Sequence, residues 1–464
     1  MIEFRPIELS DRETIERYTH CSGIRNCDLS FANMYCWQTT FDSAWAIFEG
    51  YLIIRFRING GEELGYMQPI RCDGSHNFAR IIPELAKDAH SNGQRLRIIG
   101  LTEEGRMSLD AVHHNNFAFY SDRDYEDYIY LREKLEKITG KRYQPKRNHI
   151  NQFEKLYNYE YHTLTPQHHE GCLALCQKWR EERGEDISTP SPEVDAIGRA
   201  LDNFDRLGLD GGVIVIDGAV VAFTYGSAIN PTTFCTHIEK CDTSFVGIYS
   251  AINKLFAQSL PQQFTHINRE EDMGIGGLRK SKLSYHPSEL QVKYTAIYLH
   301  SHEAECKKLW KIVFGDEDRF IDHFIQKYFS LKGMVYVADP TNQYLSMVHI
   351  VDMECDEGHI AYIYGVATHP ECRGKGYASM LMKAAMKKIE EEGFIAAILI
   401  PSEEWLIDYY AKFGFRKGPH LTFSTSDNFD FGSGDTSKDH SLICPLSDFE
   451  VGESLILAPS TNGE

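Results

Sequence analysis

Apolar residues in this chain recur in two rhythms, and the switch between them divides it into elements. Alternating or continuous β-branched and aromatic runs at 44–48, 51–57, 96–100, 212–216, 220–225, 359–367 and 394–400 predict strands. Apolar residues at helical spacing predict helices over 77–90, 248–260, 303–312 and 316–329. A further helix follows residue 376, where Leu381, Met382, Ala385, Met386 and Ile389 share one face while Lys383, Lys387 and Lys388 face elsewhere. Asp217-Gly218 between two strand runs is a hairpin signal. Strand pairs followed by a helix and another strand recur along the chain, which predicts an α+β fold.

One junction carries chemistry. The run Val366-Ala367-Thr368-His369-Pro370-Glu371-Cys372-Arg373-Gly374-Lys375-Gly376-Tyr377-Ala378 joins a strand to an amphipathic helix through a basic glycine loop. Glycines let the backbone turn so that successive N–H groups converge on one point. The helix then offers unpaired first-turn amides and the positive end of its dipole to an anion. A Gly-x-Gly pair alone is weak evidence, but the flanking strand and helix give it the context a phosphate cradle needs.

Composition narrows the classes. At 464 residues the chain has room for about three domains of ordinary size. No apolar run approaches the ~20 residues that cross a bilayer, and the first residues hold neither a signal-peptide core nor a lipidation box. The twelve cysteines include no Cys-x-x-Cys pair, and Cys172 and Cys176 have no matching ligands nearby in sequence. A reducing cytoplasm with free thiols is expected, with no membrane association and no metal site. A net charge of −19 argues against general nucleic-acid affinity. The charge is uneven: residues 425–464 hold eight acids and one lysine, whereas 132–155 hold eight basic and three acidic residues.

The glycine loop resembles the acyl-CoA-binding motif of the GNAT superfamily of N-acyltransferases, usually Gln/Arg-x-x-Gly-x-Gly/Ala. Asp408-Tyr409-Tyr410-Ala411-Lys412-Phe413-Gly414-Phe415 resembles that family's Tyr-x-x-x-Gly-Phe corner, in the expected order and one strand later. The resemblance spans 298–424 and implies an acetyl-CoA donor and an amine acceptor, small molecule or peptide. It implies that the backbone of Arg373, Gly374, Lys375, Gly376, Tyr377 and Ala378 holds the CoA pyrophosphate. By the same likeness Val366, Ala367 and Thr368 pair with the pantetheine arm, and Tyr410 protonates the departing thiolate. The chain departs from the family pattern at Glu371, where Gln or Arg is usual, and on the strand before the loop. That strand offers Tyr362 and Tyr364 where a glutamate base is common, so the base stays unassigned among Glu354, Asp356, Glu357, Glu403 and Glu404.

Two earlier stretches, 141–153 and 272–287, resemble a family of unknown function related to the C-terminal catalytic domain of phosphatidylglycerol lysyltransferase. That likeness covers nearly all of 1–295 and implies tandem GNAT-like lobes, divided here as 1–145 and 146–295. Residues 425–464 read as an acidic tail with a terminal strand at 454–457. Such lysyltransferases take aminoacyl-tRNA as donor, which makes Lys146, Arg147, Arg279 and Lys282 candidates for a substrate site. The alternatives to CoA-dependent N-acyl transfer are therefore aminoacyl transfer from tRNA by the N-terminal tandem, or a CoA-binding module without catalysis. The acceptor and the oligomeric state are not readable.

Overall fold

The computed structural model describes residues 2–73, 77–113, 115–427, 429–432, 441–447 and 452–460. The chain divides into two units, Met1–His114 with Ser121–Tyr298 and Asn115–Tyr120 with Leu299–Glu464. Among the described residues the chain forms three mixed sheets.

The same plan recurs in all three sheets. An antiparallel hairpin is followed by a helix and then by a strand that returns parallel to the hairpin's second arm. In the first sheet the hairpin is Tyr51–Ile58 with Glu63–Met67, the helix Ile82–Ser91 and the returning strand Arg97–Leu101. The second uses Ala219–Asn230 with Thr233–Cys241, the helix Ile248–Ser259 and the strand His266–Asn268. The third uses Tyr344–Cys355 with Gly358–Thr368, the helix Tyr377–Glu391 and the strand Ala396–Leu399. Parallel partners need such a crossover, because a tight turn reverses direction. The fold is α+β.

Element ends shift from the sequence expectation where capping decides them. The helix expected over 77–90 begins with a 3-10 turn at Ala79–Ile81 and continues as Ile82–Ser91, with Pro83 in its first turn where a missing N–H costs nothing. Those expected over 303–312 and 316–329 are Ser301–Phe314 and Asp318–Lys327. The strand Asp127–Leu131 pairs into the second sheet, ahead of the 145/146 division expected from sequence. Within 425–464, Phe429 and Phe431 are buried, and Leu442–Pro445 and Ser454–Pro459 form strands of the third sheet. The glycine- and serine-rich run 433–440 lies outside the described residues.

Candidate functional site

In the second unit the strand Gly358–Thr368 pairs with Tyr344–Cys355 along its whole length, as far as Thr368 opposite Ser346. Its parallel partner Ala396–Leu399 accompanies it only from Ile360 to Tyr362. Beyond Tyr362 the two strands part, leaving a notch beside Val366, Ala367 and Thr368. A bulge marks the same place: register slips between Met347 and His349, and Gly365 takes φ +60°. A side chain at Gly365 would sit 3.1 Å from Trp310 and 3.2 Å from His349, so both the turn and the packing require glycine.

The loop that follows is held open. His369 Nδ1 accepts the Glu371 N–H at 3.4 Å, and Cys372 is buried beneath the turn. Gly374 and Gly376 have φ +77° and +83°, with nothing within 4 Å of where a Cβ would stand. Gly376 is the N-cap of the helix Tyr377–Glu391, and Arg373 and Lys375 are exposed beside it. Left-handed glycines, open space and a fifteen-residue helix pointing its N-terminus at that space give the geometry that an anion cradle needs.

The second sheet has the same junction but closes it. Gly247, at the N-cap of Ile248–Ser259, has φ +87°, yet a Cβ there would meet the His149 carbonyl oxygen at 2.2 Å.

Tyr410 lies in the core against Tyr409 and Phe415, 6% exposed, and burial raises its phenol well above the usual value. The hydroxyl on this helix that meets the loop helix is that of Tyr409, which accepts from Ser379 Oγ at 3.4 Å. On the strand before the loop, Tyr364 packs against Trp310, Phe324 and Phe431. Burial and then the carboxylates Asp316 and Asp430 raise the Tyr364 phenol. None of the five carboxylates singled out from sequence is among those acting on Tyr364.

The four N-terminal candidates separate. Arg147 donates to the carbonyls of Ile138 and Gly140 at 2.8 and 2.7 Å. Arg279 grips Asp272 at 2.7 Å and also binds Asp124, holding the Asp272 carboxyl well below the usual range. Lys282 donates to the backbone of Arg269 and Glu271. These three serve the fold. Lys146 stands over the Tyr285 ring at 3.8 Å, and burial, then the nearby Arg269 charge, lower its ammonium to about 8.

Sequence reasoning missed the polar centre of the first unit. Lys293, 9% exposed, binds Asp127 at 2.9 Å, Asp28 at 3.3 Å and Glu271. Asp127 also accepts the Cys27 N–H at 2.9 Å and the Asn268 side chain at 2.8 Å. Its members are scattered from residue 27 to residue 293, so no local motif signals them.

Fold and cradle define a GNAT-type acyltransferase domain preceded by a lysyltransferase-like tandem. A model of the phosphatidylglycerol lysyltransferase C-terminal family matches residues 22–297, and an acetyltransferase (GNAT) domain model matches 299–418. The chain belongs to the phosphatidylglycerol lysyltransferase C-terminal family, with a GNAT domain added. Among solved structures it is similar to a conserved protein of unknown function from Bacteroides thetaiotaomicron VPI-5482. The two share 41% identity over 64% of this chain and 100% of the other, with a TM-score of 0.61. It is also similar in fold to L-PGS from Bacillus licheniformis, at 18% identity over 62% of this chain and 92% of that one, TM-score 0.46. No curated protein matches. Among the described residues, no helix is long and apolar enough to cross a membrane.

Proposed function

We propose that the GNAT domain transfers an acyl group, acetyl in the simplest case, from CoA to an amine. The observation that carries this reading is the open left-handed pair Gly374 and Gly376 at a helix N-terminus beside the parted strands. Pyrophosphate sits on the amides from Arg373 to Ala378, with Arg373 and Lys375 adding charge. The pantetheine arm runs along Val366 to Thr368. A neutral amine attacks the thioester carbonyl, a C–N bond forms and the C–S bond breaks. Tyr410, kept protonated by burial, gives its proton to the thiolate. Asp316 and Asp430, the carboxylates that act on Tyr364, are the candidates for taking the amine proton.

Calorimetric titration with acetyl-CoA tests the first step. Absence of binding at about 100 µM, well inside the usual enzyme range of ~1 µM to 1 mM, refutes the reading. For catalysis, Tyr410→Phe should leave CoA affinity intact and lower turnover by about 10²-fold or more. Tyr409→Phe serves as comparison: if it alone lowers turnover, the acid is Tyr409, whose hydroxyl already touches the loop helix.

A second reading, aminoacyl transfer by the first unit, is favoured by the family match over 22–297. Retention of charged tRNA that weakens steeply with salt would support it.

A further inference from the structure

The second sheet parts at the same topological point as the third. Its strand Thr233–Cys241 runs parallel to His266–Asn268 only from Thr233 to Cys235. Cys235 and His237 lie two apart on that strand, His237 at a bulge where the register slips opposite Tyr225 and Gly226. Glu270 follows the departing strand with φ +57°, a left-handed backbone that a glutamate rarely adopts. The ligand atoms of these three side chains all lie within 4.8 Å of one another. We propose that Cys235, His237 and Glu270 form a site for a zinc-like divalent cation in the first unit.

The donor set is thiolate, imidazole and carboxylate, which suits a borderline cation such as Zn²⁺ rather than Mg²⁺ or Ca²⁺. Glu270 Oε1 is the hub, 2.9 Å from His237 Nδ1 and 3.6 Å from Cys235 Sγ. Asn33 Nδ2 donates to the same oxygen at 2.8 Å and fixes the carboxylate. The outer shell is in place as well. His237 Nε2 faces Ser227 Oγ at 2.8 Å and Ser30 Oγ at 3.2 Å. Either hydroxyl oxygen accepts a hydrogen bond from the N–H that Nε2 must carry once Nδ1 binds a metal. Three protein ligands leave a fourth tetrahedral position for water or a substrate oxygen.

Charge points the same way. Asp28, Asp127, Glu270 and Glu271 gather here against the ammoniums of Lys293 and Lys282, while the nearby Arg269 is paired with Glu239. A divalent cation would neutralise the remaining excess. The way in is past Glu270, whose side chain is 23% exposed while that of His237 is 5% exposed. A neighbouring group, Cys27, Asp127 and Glu271, also brings ligand atoms together. There the Lys293 ammonium already stands among them, so that group is closed to a metal. Loading the open site releases the Cys235 thiol proton to solvent as the metal–sulfur bond forms and requires the His237 tautomer protonated at Nε2, with no change of oxidation state.

The test titrates Co²⁺ and Zn²⁺ into the full chain after chelator treatment, on a background in which exposed Cys21 and Cys72 are serine. Expected is one Co²⁺ per chain with a sulfur-to-cobalt charge-transfer band, displaced by Zn²⁺, and a rise in melting temperature with metal. Cys235→Ser and Glu270→Gln should each weaken binding roughly 100-fold or more, with Cys235→Ser losing the band. Cys27→Ser should keep both. Melts recorded before metal addition show that each variant folds, and Glu270→Gln, with its smaller perturbation, covers a misfolded Cys235→Ser. No band in the folded parent overturns the proposal, as does a band that survives Cys235→Ser or vanishes in Cys27→Ser.

Discussion

Lys307 and Asp322 form an ion pair at 2.5 Å with side chains 2% and 1% exposed. Asp322 also accepts the Phe119 N–H at 2.8 Å, and Lys307 donates to the Phe117 carbonyl at 2.9 Å. Burial raises the Asp322 carboxyl to about 6, with Lys307 pulling the other way. Since this folded value exceeds the unfolded one of about 3.9, the native state holds the proton between them. The contribution is therefore fully present below about pH 4 and is lost as pH rises through 6. Denaturant melts should show wild type gaining stability relative to Asp322→Asn on going from pH 7 to about pH 4. A constant difference between the two would mean that Asp322 is not shifted. Lys307→Met leaves the carboxylate buried alone and should cost about 3–5 kcal/mol near neutral pH. At this scale the sequence misleads by charge. The basic run 132–155 reads as a stripe, yet Arg132 caps the carbonyls of Ala257 and Leu260, and Arg147 those of Ile138 and Gly140. Cys235 and His237 are close in sequence on a strand the apolar pattern did not single out, and Glu270 reaches them only through the fold.

Elements were more legible than the residues they position. The strand–helix–strand rhythm at 359–400 follows from local apolar periodicity, and the glycine loop from its flanking elements. Whether a loop is open depends on what packs over it, which no local pattern encodes. Gly247 and Gly376 both cap a helix with left-handed φ, yet only Gly376 faces open space. A side chain at Gly376 meets backbone strain alone, of order 1 kcal/mol for a non-glycine residue at positive φ. Gly376→Asp should therefore stay folded, while its carboxylate repels pyrophosphate from the cradle. Acetyl-CoA affinity is expected to fall at least about 100-fold, with a melting temperature within a few degrees of wild type. Unchanged affinity in the folded variant would remove the cradle from the mechanism. Gly247→Ala differs: its Cβ would strike the His149 carbonyl at 2.2 Å, so the loss there is of fold and not of a ligand.

The whole chain passes from the first unit into the second and back before entering it for good, because Asn115–Tyr120 belongs with Leu299–Glu464. The family resemblance starting at 298 marks a domain edge in sequence, but a six-residue excursion has no signature of its own. Ala118 is part of the second unit's apolar core with Leu309, Trp310 and Phe324. Cutting the chain at 298 thus removes a core residue, the Phe119 N–H that serves Asp322 and the Phe117 carbonyl that serves Lys307. Lost hydrogen bonds to charged groups, each leaving a buried partner in need, should cost about 2–4 kcal/mol together. For a unit of this size about 1 kcal/mol moves the melting temperature by ~2–4 °C, so a fragment of 299–464 should melt roughly 5–15 °C lower than one carrying 115–121 on a flexible linker. The linked fragment should also bind acetyl-CoA with the full chain's affinity, since cradle and notch lie wholly within 344–399. Equal melting of the two fragments would show that 115–120 is an accessory to the second unit and that Lys307 and Asp322 satisfy each other without it.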